Sequence, residues 1–109
     1  MPLFNLAWKS QFFWDGRADS LRSQVLQPIA DHREMDESPD RACEKLTKAR
    51  DYPAAFQAAF RSAGITPEKV ALALEQYLLT LTAHDSRLDR AFNGTATLTA
   101  DEQRGFELF

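Results

Sequence analysis

Phe12-Phe13-Trp14-Asp15-Gly16-Arg17-Ala18 is followed closely by Ser20-Leu21-Arg22-Ser23-Gln24 and, further on, by Arg33-Glu34-Met35. Three large rings lead straight into a carboxylate, a glycine and an arginine. Glycine weakens a helix, and crowded aromatics lose side-chain freedom in one. The run therefore predicts a turn that wedges rings against something flat. Asp15 and Arg17 can bond one another across that turn or cap the next helix. Asp19-Ser20 opens this helix, because a serine or aspartate oxygen takes an otherwise unpaired backbone N–H. It is expected to run to about Gln27, with Leu21 and Val25 on one face and Gln24 on a neighbouring one. Pro28 has no N–H to give and is expected to end the regular hydrogen bonding. Residues 30–38 read as a polar loop carrying His32, Glu34 and Met35.

Upstream, Phe4 and Leu6 are expected to plug the core, whereas Trp8 adjoins the polar run Lys9, Ser10 and Gln11. Downstream, Ser38-Pro39-Asp40 has the order of a helix start: cap, proline in the first turn, acid at the positive end. That helix is expected to reach about Ala49, with Ala42, Cys43 and Leu46 inward. Asp51-Tyr52-Pro53 starts another, expected to end at Gly64, in which Phe56 and Phe60 should pack together. Thr66-Pro67-Glu68 starts the longest, to about Thr82, with Val70, Leu74, Tyr77, Leu78 and Leu81 in one apolar stripe. His84 then sits where it can serve the carbonyls at a helix end. Ser86 to Phe92 forms a short helix stopped by Asn93-Gly94. Thr99 and Glu102 make a capping box, so a last helix runs from Ala100 to Phe109. No stretch alternates with period two for long. The reading is all-α: a small bundle of five to six short helices behind an irregular aromatic segment, 1–18, in one domain, 1–109.

With 109 residues, 44% hydrophobic and 27% charged, the composition is that of an ordinary globular domain. A net charge of -3 leaves no basic footprint, so a nucleic-acid partner is not expected. No apolar run approaches the roughly 18 residues that would span a bilayer, and no signal peptide is visible. The lone Cys43 has no base nearby in sequence and reads as a small buried hydrophobe.

The run Phe13-Trp14-Asp15-Gly16-Arg17-Ala18, with Gln24, Pro28 and Glu34-Met35 after it, resembles the bacterial di-haem cytochrome c peroxidase and MauG family. The resemblance continues through Tyr52-Pro53-Ala54-Ala55-Phe56 and Ile65-Thr66-Pro67 to Leu98-Thr99-Ala100-Asp101-Glu102-Gln103-Arg104-Gly105. It implies a cytochrome-c-like fragment of a periplasmic enzyme. The complete protein would carry two c-type haems and reduce hydrogen peroxide with electrons from a small donor such as a cytochrome c or cupredoxin. By the same resemblance Glu34 matches the distal acid–base carboxylate and Gln24 a distal glutamine. Pro28 lines their pocket, Met35 packs near it, and Trp14 lies between the haems as an electron relay. Arg17 is counted with these cofactor-binding residues. An apolar setting would raise the pKa of a carboxylate such as Glu34 and let it carry a proton. The calcium ligands of the family lie outside this segment, and His32 and His84 match no haem ligand.

One departure is large. The family attaches haem through Cys-x-x-Cys-His motifs, and this sequence has one cysteine and no such motif. No c-type haem can be attached to this chain. The resemblance therefore implies the segment between the haem sites of a longer protein, inactive by itself. Faces that would cover a haem, together with Phe106 and Phe109, would then meet water. Self-association or rearrangement is expected, with exchange of the terminal helix in a homodimer as one route. Two alternatives stay open: a haem-free helical interaction module, and a MauG-like oxidase that modifies a protein.

Overall fold

The computed structural model describes all residues, Met1–Phe109. A short 3₁₀ turn at Leu6–Trp8 precedes six helices, and there is no strand. The helices are α1 (Leu21–Ala30), α2 (Pro39–Lys48), α3 (Tyr52–Phe60), α4 (Pro67–Thr80), α5 (Arg87–Phe92) and α6 (Ala100–Leu108). The all-α reading holds. So do the starts read from caps: Ser20, Ser38 and Thr66 accept N–H bonds from Ser23, Arg41 and Lys69. Ser86 with Asp89, and Thr99 with Glu102, close full capping boxes on α5 and α6.

These boxes make helix stability depend on pH. The Ser86 hydroxyl, then its backbone N–H, holds the Asp89 carboxyl below its ordinary pKa. The Thr99 backbone N–H does the same for Glu102. A carboxyl with a depressed folded pKa contributes stability that is complete above the unfolded pKa, about 4. That contribution is lost as pH falls through the lower, folded value. Neither α5 nor α6 buries a residue to compensate, whereas α4 buries Val70, Ala71 and Leu78. Below about pH 4 the amides of α5 and α6 should lose hydrogen-exchange protection before those of α4. If α6 kept its full protection in strong acid, its box would contribute nothing.

Several boundaries and burials differ from expectation, each for a local reason. Pro28 does not end α1; it lies inside the helix, and the Asp31 N–H closes the next turn on the Gln27 carbonyl at 2.9 Å. α3 ends at Phe60 rather than Gly64, because Arg61 turns left-handed at φ 51. The Lys69 ammonium then takes the carbonyls of Ala63 and Gly64 at 2.9 and 2.7 Å. α4 stops at Thr80, two residues early, because Asn5 competes for the chain beyond it. Its N–H bonds the Leu81 carbonyl at 2.8 Å, and its side-chain amide exchanges two bonds with Ala83. Asn5 itself is left-handed, with φ 57. The chain reverses there, burying Leu6 to 1% exposure and leaving Phe4 at 52%. Phe4 therefore does not plug the core.

The core joins the N-terminal segment to α1 and α4: Leu6, Phe12, Ala18, Leu21, Val25, Ala71 and Leu78 form one cluster. Leu74 and Tyr77, expected in the same stripe, are exposed, since α1 and α2 cover only one side of α4. Phe56 and Phe60 stack at 5.5 Å as expected. Cys43 is buried, and burial, with Asp40 and Glu68 nearby, pushes its thiol pKa up, as befits an inert thiol.

The helix pairings of the body are α1–α4, α2–α3, α2–α4 and α1–α2. α5 and α6 lie off this body and meet through Phe92 on Phe106 at 5.5 Å and an Arg87–Glu102 ion pair at 3.0 Å. The molecule is accordingly long, 56 × 31 × 21 Å, with a radius of gyration of 19.3 Å against about 13 Å for a compact chain of this length. Its accessible surface is 8323 Å², where a compact monomer of this mass exposes roughly 6,100 Å². The excess is of the size that a permanent partner covers.

Candidate functional site

Two loops flank α1 and carry the residues singled out in the sequence. The first spans residues 12–18. The Phe12 N–H bonds the Ala18 carbonyl at 2.9 Å, and both residues are sunk in the core. The chain between them must turn back within a few residues, and Phe13 and Gly16 do so at φ 67 and 69. Gly16 is required there, because a Cβ would be strained by its φ and would lie 3.1 Å from the Gln11 amide oxygen. Trp14 stands at the tip, 92% exposed. Arg17 folds beneath it. Its guanidinium lies 3.5 Å above the Phe13 ring and bonds both Asp15 carboxylate oxygens at 3.1 and 3.2 Å. Its Nε donates to Gln27 Oε1 at 3.3 Å. Desolvation pushes the Asp15 carboxyl up, but the Arg17 bonds outweigh it and hold the pKa below the ordinary value.

The second loop, 31–37, folds back on the end of α1. The last carbonyls of a helix lack intrahelical partners, and here the loop supplies them. The Met35 N–H bonds the Pro28 carbonyl at 3.2 Å, and the Glu37 N–H bonds that of Ile29 at 2.9 Å. The Asp31 carbonyl accepts from Glu34 and from Asp36, each at 3.0 Å. The Asp31 carboxylate accepts the Arg33 N–H at 2.8 Å, the main cause of its lowered pKa. Glu37 pairs with Lys45 and Arg41 and is lowered first by the Lys45 bond. Glu34 is exposed, and its carboxylate is left free while these neighbours are committed. Met35, 65% exposed, overhangs a groove of about 440 Å³ lined by Ile29, Ala42, Leu46 and Val70, with Glu37 and Lys45 at its rim. His32 is a largely solvated loop side chain, 3.6 Å from Asp31.

Between the loops, α1 holds Gln24 and Pro28. Gln24 is 8% exposed and is the one polar residue in the core; Pro28 is half-buried. Gln24 and Glu34 thus belong to one helix–loop unit, but the glutamine is buried and the glutamate meets solvent. The apolar surroundings expected around Glu34 are not supplied by this chain. Sequence reading missed Gln27 as a partner of Arg17 and Asn5 as the clamp on α4. Neither had a signal, since spacings of 10 and 78 residues carry no periodicity.

The fit to a c-type haem is that of a wall without an anchor. Trp14, Pro28 and Met35 offer apolar surface on adjoining segments. The lone cysteine is buried in the body, with its thiol protonated.

Comparison with known proteins bears on the same residues. A family model described as di-haem cytochrome c peroxidase matches residues 1–97. The chain is similar to the methylamine utilization protein MauG of Methylorubrum extorquens, 40% identical over 99% of this chain and 31% of that protein. It is also similar to the cytochrome c551 peroxidase of Pseudomonas aeruginosa, 34% identical over 98% of this chain and 32% of the relative. Among solved structures, a MauG-like protein associated with microbial copper homeostasis superposes with a TM-score of 0.86 at 27% identity, over 97% of this chain and 33% of that one. The chain spans about a third of the length of the curated relatives it matches.

Proposed function

The chain belongs to the family of di-haem cytochrome c peroxidases and MauG-like proteins, and on that premise we propose that it is the inter-haem stretch of a longer periplasmic protein that reduces hydrogen peroxide. When bound, haem supplies the iron at which peroxide is reduced. The residues of this chain do the rest. Glu34 carries a proton from the near to the far peroxide oxygen. Gln24, which cannot titrate, orients peroxide or water by hydrogen bonding. Pro28 and Met35 keep bulk water away, and Trp14 lies on the path of the electrons. A small cytochrome c or cupredoxin delivers them. The observation that carries this reading is the fastening of the Glu34 loop onto α1, which leaves the Glu34 carboxylate, like that of Asp36, uncommitted beside the helix of Gln24. The large uncovered surface supports a place within a bigger assembly, where the body faces and the α5–α6 arm are covered. In the chain alone the same surface favours self-association, and peroxide activity is absent.

A second reading, oxidation of a protein substrate, is favoured by the 40% identity to a MauG. One experiment separates the readings. The full gene product, matured in a host that attaches c-type haem, should contain two haems and oxidise reduced cytochrome c when given peroxide. Haems with oxidation of a protein substrate instead would favour the second reading. A full-length product without haem would overturn both and leave a helical interaction module.

A further inference from the structure

Trp14 presents an unusual problem of support. At 92% exposure its ring is packed by nothing in the chain, and Gly16, two residues on, adds backbone freedom. The Phe12–Ala18 bridge ties only the base of the loop. Phe13 packs against the core and gives its N–H to the Met1 sulfur at 3.3 Å; the rest of what holds the tip passes through one side chain. Arg17 grips the residue before Trp14 by lying flat on the Phe13 ring, and the residue after it through both oxygens of Asp15. Its backbone N–H also bonds Asp15, at 3.3 Å. The remaining edge reaches Gln27, one turn beyond Gln24 on α1.

We propose that Arg17 is a positioning residue for Trp14: its guanidinium holds the residues before and after Trp14 in the chain and ties the loop to the helix that carries Gln24. The role of the indole in electron delivery rests on the function proposed above; the positioning does not. Arg17 acts through Trp14. Its Nε, its Nη1 and one face of its guanidinium plane are engaged inside the chain.

Arg17→Lys tests this sharply. Lysine keeps the charge but cannot lie flat on a ring while giving a planar fork of donors. Exposed ion pairs add little to folding, so the fold should persist. With Trp8→Phe as background, Trp14 is the sole indole. The backbone order parameter of Trp14 should fall from about 0.85 to below about 0.6 in Arg17→Lys. Helix content and melting temperature should stay unchanged. Arg22→Lys breaks a similar fork, to Glu75 at 2.6 and 3.1 Å, and should leave Trp14 rigid. An unchanged order parameter in Arg17→Lys would overturn the proposal, as would disorder spreading beyond residues 12–18. In the haem-loaded protein the same variant should slow electron delivery by about 10- to 100-fold, the usual cost of small misplacement, with the KM for peroxide unchanged. If the indole loosens and that rate does not change, the positioning stands and the electron-transfer role of Trp14 falls.

Discussion

Glu34→Gln in the haem-loaded protein is expected to lower peroxide turnover by about 10²–10⁴-fold, the range typical of a positioned acid–base group. The substitution keeps the length and hydrogen-bonding shape of the side chain and removes only its ability to hold and release a proton. It should not disturb the fold. Glu34 is exposed and carries no ion pair, and the loop is held by backbone bonds from Glu34, Met35, Asp36 and Glu37 that a glutamine leaves intact. Surface changes of this kind usually stay within about 0.5 kcal/mol. Asp31 and Glu37 make useful contrasts in the same loop. Their carboxylates are occupied by Arg33, Lys45 and Arg41, so their amide variants should cost stability and spare the chemical step. Turnover under saturating peroxide, with the haem spectrum as a check on loading, reads the difference. Wild-type turnover in Glu34→Gln would remove Glu34 from the reaction and leave the proposed proton path without its carrier.

How much of this was legible follows from the range of each interaction. Caps were readable because they act over three residues: Ser38, Thr66, Ser86 and Thr99 each bond an N–H that near. Stripe positions were half readable. Spacing shows which residues share a face of α4, but not that neighbouring helices reach Val70 and Leu78 while leaving Tyr77 to solvent. The ends of α3 and α4 were not readable, because Arg61 turns left-handed without a sequence signal for it and Asn5 binds the chain after α4 from far away. The site divides along the same line. The motif residues could be picked out one by one, and the mutual bond of Asp15 and Arg17 was an open reading that the structure bears out. The opposed settings of Gln24 and Glu34 could not be foreseen, since they depend on how the 31–37 loop folds onto α1.

Leu6→Ala should be far more destabilising than Phe4→Ala. Leu6 is 1% exposed, and removing a buried leucine to alanine costs about 2–5 kcal/mol, cavity included. Small domains have only about 5–15 kcal/mol to lose, and this one buries just 10 of its 109 residues. At roughly 4–8 °C per kcal/mol, the melting temperature should fall by about 8 °C or more. The loss should also spread, because Leu6 follows the Asn5 clamp on Leu81 and Ala83 and shares its cluster with Phe12 and Ala18 at the base of the Trp14 loop. Phe4→Ala is the paired measurement. Phe4 is the bulkier residue and looks equally hydrophobic in sequence, but it lies on the outer side of the Asn5 reversal, and its truncation should move the melting temperature by only a few degrees. The ordering of these two variants in thermal unfolding tests the reversal directly. If Phe4→Ala proves the costlier, the N-terminal segment enters the core in the opposite register, and the loop that presents Trp14 is anchored differently.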